Sequence, residues 1–173
     1  GGHPKVAPES LGSALLERGQ QVIIHLTCKD LNRHGLESRA WTLANAGFEN
    51  ILCLSGDHPV DGYMGQPGAV FDVDSVALLQ MLHEMNQGLR VPKPRRGEPD
   101  RLPPTDFYLG ATVAPFKLHE PELISQYMIL QAKIANGASS IAPQADPAPL
   151  NPVVRLNDPA RRPGTSRLVG GRA

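Results

Sequence analysis

The sequence predicts an α/β protein built on a parallel sheet, of barrel type rather than doubly wound type. Three observations carry this. Short strand-like runs alternate four times with stretches of helical apolar periodicity. Each crossover is long enough to hold a helix, which forces parallel strands with right-handed connections. The first strand runs into Thr27, Cys28, Lys29 and Asp30, without the glycines that a doubly wound nucleotide fold carries at that turn.

The first helix is expected over residues 10–18, where Leu11, Ala14 and Leu15 share a face, Ser10 stands as the cap and Gly19 as the stop. Residues 21–27 follow as a run with little alternation, the pattern of a strand covered on both faces. Leu36, Ala40, Leu43 and Ala44 then recur at helical spacing until Gly47, and residues 50–54 form the second strand, ending in Ser55, Gly56 and Asp57. Val76, Leu79, Leu82 and Met85 predict a third helix, opened by Asp72 and Asp74 at its positive end and closed by Gly88. Residues 89–105 are dense in Pro, Arg and Lys and predict an exposed insertion. Residues 107–113 predict a third strand, followed by a helix that begins near Pro121 with Leu123, Tyr127, Leu130 and Ile134 as its core face. Gly137 ends it, residues 139–144 make the fourth strand, and the proline spacing from Ala145 onward predicts a disordered tail over residues 145–173. Residues 1–144 are thus one partial barrel domain.

The chain has 173 residues, 40% of them hydrophobic, enough for one core. Lys and Arg together number 17 and so do Asp and Glu, so no summed field favours nucleic acid or an anionic membrane. A small molecule is the expected partner. No apolar run approaches the roughly 20 residues that span a bilayer, and the start lacks the layout of a signal peptide, so a cytoplasmic location is expected. Cys28 and Cys53 sit in apolar strand-like runs, where a reduced thiol is the expectation. The chain opens on Gly1 rather than Met, which suits a fragment.

In either parallel fold the chemistry lies at the carboxyl ends of the strands. Those ends carry His25, Leu26, Thr27 and Cys28; then Leu54, Ser55, Gly56, Asp57, His58 and Pro59; then Val113, Ala114 and Pro115; and last Ile141, Ala142, Pro143 and Gln144. As an ordered set at consecutive strand ends, joined by a helix carrying Lys133, they resemble the methylenetetrahydrofolate reductase family from about His25 to Gln144. That resemblance implies a (βα)8 TIM barrel, here represented by about its third to sixth strands, with FAD at the carboxyl face. It implies reduction of 5,10-methylenetetrahydrofolate to 5-methyltetrahydrofolate with NADH or NADPH as cosubstrate, and because four strands cannot close an eight-stranded barrel, this fragment is not expected to be active alone. Residues 71–75, with Asp30, Leu31, Asn32 and Arg33, are similar to a bacterial branch fused to or associated with methyl-transfer proteins, so such a protein or a second copy is the implied macromolecular partner.

Carried over residue by residue, the resemblance makes Asp57 the carboxylate that stabilises a cationic folate iminium and accepts hydrogen bonds from the pterin. His25, Ser55, Gly56, Phe71, Asp72, Ala114 and His119 become flavin contacts, Lys133 the neutraliser of the FAD pyrophosphate, and Gln144 the pterin carboxamide, suited because it donates and accepts at once. Read without the resemblance, Asp57 is a turn residue after glycine, His25 a satisfied core histidine, Lys133 a solvated helix charge and Gln144 a polar strand end. The chain departs from the family pattern at Ser55, where Arg is common, and at Ala114, where some members carry a stacking tyrosine. The family's glutamate acid and second-strand threonine have no counterpart before Gln21, and the aromatic continuation after Gln144 is replaced by proline-rich sequence. Three other readings use the same residues. A metal site could draw on His25, Cys28, Cys53 and His58, although no paired-cysteine spacing supports it. A non-catalytic flavin- or folate-binding subunit would fit the departures, and a corrinoid-linked pterin methyltransferase would need a barrel but no flavin. The basic, proline-rich residues 91–101 are interleaved with Glu98 and Asp100 and fit a solvated loop.

Overall fold

A computed structural model describes residues 4–91, 100–115 and 119–144, together with the backbone of Val154–Arg155. Helix α1 (Pro8–Leu16) leads into strand β1 (Ile23–Thr27), helix α2 (Arg33–Asn45), strand β2 (Asn50–Leu54) and helix α3 (Ser75–Gln87). The short strands β3 (Arg90–Val91) and β4 (Asp100–Arg101) precede strand β5 (Tyr108–Val113), helix α4 (Glu120–Ala135), strand β6 (Ser140–Pro143) and the two-residue strand β7 (Val154–Arg155).

The main sheet has the order β1-β2-β5-β6-β7, and its first four strands are all parallel. Those four follow chain order across the sheet with no reversal. Right-handed crossovers then put every helix on one face, which is barrel winding; a doubly wound sheet reverses direction and covers both faces. The register sets the two faces. Ile24, Ile51 and Leu109 align, as do Leu26, Cys53, Ala111 and Ile141. All are buried, in one cluster with Leu36, Leu43, Leu78, Leu79, Leu82 and Met85 of α2 and α3. His25, Leu52, Gly110 and Ser140 form the intervening row on the opposite face. A Cβ at Gly110 would lie 3.0 Å from Leu52 and 3.2 Å from the Ser140 hydroxyl, so this row is closely packed at its centre.

Several expectations need correction. β1 is not covered on both faces: Ile24 and Leu26 are buried while Ile23 and His25 are exposed, because β1 is the sheet's edge and helices lie on one side only. α1 begins at Pro8 with Ala7, not Ser10, at the cap position; no side chain caps it, and the proline in its first turn removes one of the amides that would need a partner. The third helix is capped by Asp74 alone, which accepts from the amides of Val76 and Ala77. The core face of α4 also differs. Tyr127 is 58% exposed and Ile134 is exposed, whereas Lys133 is buried and Leu123, Gln126 and Leu130 are half-buried on the inner side. The predicted insertion contains an antiparallel ribbon, with Arg90 opposite Arg101 and Val91 opposite Asp100; residues 92–99 lie outside the described residues. Of the expected tail, Val154–Arg155 pairs antiparallel with Ser140 and Ile141, and its other residues lie outside the description. No helix among the described residues is long and apolar enough to cross a membrane.

Candidate active site at the carboxyl edge of the sheet

Because the four strands are parallel, their carboxyl ends share one edge, and the loops that leave them carry the candidate residues. The amide of Cys28 donates to Leu54 and that of Gln144 to Val113, at 3.1 and 2.6 Å, so the ladder persists to this rim. Ser55 and Asp57 leave β2 exposed there, and Gln144 leaves β6 exposed at the same edge. Between Ser55 and Asp57, Gly56 has φ +84°, and a Cβ on it would come within 3.2 Å of the Lys29 side chain. Glycine is the residue that admits both the left-handed backbone and the close approach.

His25 points to the helix-free face and lines an open cleft of about 550 Å³ with Thr27, Lys29, Asp61 and Arg39, closed on one side by the segment around Pro4 to Pro8. That volume lies within the range of small-molecule sites, about 300–1,000 Å³. The cleft's charges are partly spent: Lys29 pairs with Asp30 at 2.8 Å and Arg39 with Glu9 at 2.7 Å. The Nε of Arg39, however, is buried without a hydrogen-bond partner. A buried donor left unpaired costs about 1–3 kcal/mol.

The remaining candidates divide. Phe71 has φ +40° and meets His58 edge-to-face, ring centres 4.8 Å apart, next to the Asp57 turn. Asp72 is committed elsewhere, accepting from the Arg33 amide and Nε, both at 2.9 Å, and from Nη2 at 3.2 Å. Those hydrogen bonds hold its carboxyl at about 2, below the ordinary carboxylate range. The Ala114 amide donates to Gln126 Oε1 at 3.1 Å. His119 is exposed at the start of α4, where its carbonyl, not its ring, receives the amides of Glu122 and Leu123. Lys133 is 5% exposed and lies on the helix side of β5, donating from Nζ to the Thr112 carbonyl at 2.6 Å. Burial lowers its ammonium, partly offset by Cys53 and Asp74.

Gln126 and Lys133 therefore brace the end of β5 from behind, and Asn86 does the same at its start, bonding both the amide and the carbonyl of Phe107. Sequence reasoning missed Gln126 and Asn86, and named Arg33 without its bond to Asp72. The one available signal was the spacing Leu123, Gln126, Leu130, Lys133, which lays two polar side chains along an inward stripe. Cys28 and Cys53 are buried free thiols on the helix-covered face, raised by loss of solvation, Cys28 to about 11. His25 points to the other face, so strand alternation separates it from the thiols that the metal reading would combine with it.

Comparison with known proteins agrees with this geometry. The family model described as methylenetetrahydrofolate reductase matches residues 7–144, which include all four parallel strands and all four helices. No curated protein matches the chain. A family match over more than half the chain, on a sheet wound as that family's TIM barrel is wound, settles the matter: the chain belongs to the methylenetetrahydrofolate reductase family.

Proposed function

We propose that this chain serves the FAD-dependent reduction of 5,10-methylenetetrahydrofolate to 5-methyltetrahydrofolate by NADH or NADPH. Family membership supports an oxidoreductase of one-carbon metabolism. The observation that carries the specific reaction is the register: Asp57 and Gln144 leave parallel strands at the same edge. Bound at that edge, FAD would accept a hydride from the nicotinamide and deliver it to the methylene carbon of the folate.

The residues fit such a ligand. Lys29 and Arg39 bring two cations to the cleft, and the glycine at position 56 lets Lys29 pack against the turn that carries Asp57. Asp57 would hold negative charge beside the folate as its methylene nitrogen becomes cationic, worth most where water is excluded. Gln144 would orient the pterin by donating and accepting in one plane. His25 would hydrogen-bond the cofactor's edge from the open face. For Lys133 to meet the pyrophosphate, its ammonium would exchange the Thr112 carbonyl for a phosphate oxygen.

The test is FAD binding by the full-length protein, then oxidation of NAD(P)H with methylenetetrahydrofolate as acceptor. Asp57→Asn is expected to lower folate reduction by about 10²–10³-fold, as loss of a preorganised charge does, while flavin affinity stays within a few-fold. Equal folate reduction in the variant would refute the assignment of Asp57.

A further inference from the structure

Two non-glycine residues among those described adopt positive φ, Met64 at 58° and Phe71 at 40°, and both lie in the loop that Asp57 opens. Met64 occupies the third position of a turn in which the Gly65 amide donates to the Gly62 carbonyl at 3.3 Å. A left-handed residue there is the requirement of a type II turn, normally met by glycine. Methionine in that conformation costs about 1–2 kcal/mol. The same turn holds Tyr63 and Met64 at 93% and 89% exposure.

This tip is not a loose excursion, because its root is tied at four points. Gln66 Nε2 donates to the Pro59 carbonyl at 3.0 Å, His58 packs on Phe71, the Val70 amide donates to Lys29 at 2.9 Å, and Asp72 holds Arg33. Asp61 and Pro67, on either side of the tip, line the cleft that contains His25. A braced and strained turn thus presents a phenol ring and a thioether to water at the border of a ligand-sized cleft. Neither group gains from that solvation; both gain from a flat conjugated ring, the phenol by stacking and the sulfur by contact with its edge.

We infer that Tyr63 stacks on the flat ring of the ligand that enters this cleft, with Met64 beside it. The inference rests on the flavin reading above, so FAD is the probe. Titration of the full-length protein with FAD, followed by flavin absorbance and fluorescence, supplies the test. Tyr63→Ala is expected to weaken binding about 2- to 10-fold, the range of a lost aromatic pair. Tyr63→Phe keeps the affinity but brightens the bound flavin, since a stacked phenol quenches flavin fluorescence by electron transfer and a phenyl ring does not. Circular dichroism of both variants should match the parent, as the side chain is exposed. Tyr63→Ala with parental affinity and fluorescence would overturn the stacking role. A full-length protein that binds no FAD overturns the flavin reading itself, a separate outcome that needs no variant.

Discussion

Asn86 on α3 is the residue whose removal has the most calculable consequence. Its Oδ1 accepts from the Thr105 hydroxyl at 2.7 Å and the Phe107 amide at 2.9 Å, and its Nδ2 donates to the Phe107 carbonyl at 2.8 Å. Phe107 is 3% exposed, so both of its backbone groups lose their partner without gaining water when Asn86 becomes alanine. Three neutral hydrogen bonds at about 0.5–1.5 kcal/mol each, with the higher value for the two that strand a buried group, give about 3 kcal/mol. Urea unfolding followed by circular dichroism would register this as a midpoint about 1.5 M lower, taking a slope of about 2 kcal/mol/M. Asn86→Asp keeps both acceptor bonds and loses the donor, so it should fall between the two. If Asn86→Ala unfolds within about 0.5 kcal/mol of the parent, the α3 side chain is not what anchors the start of β5, and the reasoning fails.

Two further predictions concern titration. The Asp72 carboxyl should titrate at about 2 by carbon-detected NMR, and Arg33→Ala should return it toward 3.8; because its pKa is depressed, the contact is present above 3.8 and lost as pH falls through about 2. The opposite sign holds for the thiols. Cys28 and Cys53 are raised, so their contribution is complete below 9.0 and declines as pH rises, for Cys28 through about 11. Native protein at pH 8 should react slowly with a thiol reagent at both positions and rapidly at both once unfolded, and prompt labelling of the folded chain would contradict their burial.

Much of the fold was legible because its signals are local. Residues 50–54 announce a strand in five consecutive residues, and Asp74 announces a helix cap by its position before an apolar run. Parallel winding needed only the rhythm of strand and helix, and from it came the shared edge of Asp57 and Gln144. Misreadings began where a side chain answers a distant backbone group. Tyr127 and Ile134 are apolar and correctly spaced for a core face, yet α4 turns Gln126 and Lys133 inward because the end of β5 has an amide and a carbonyl to satisfy. Asp72 looked like a helix-capping acid, and its real partner lies 39 residues away. The edge position of β1 was equally hidden, since a hydrophobic run does not say how many faces are covered.

The ribbon of β3 and β4 bears on how this chain tolerates change. Arg90 and Val91 pair with Arg101 and Asp100, and Leu102 donates to Leu89, so the ends of the intervening segment are joined before the parallel sheet resumes at β5. Extra residues placed between Val91 and Asp100 would lengthen a connection whose two ends are already paired. Each doubling of such a loop costs only about 0.6 kcal/mol. Evolution, or an engineer attaching a label, can therefore vary length at that point while the strand ends that hold Asp57 and Gln144 keep their places.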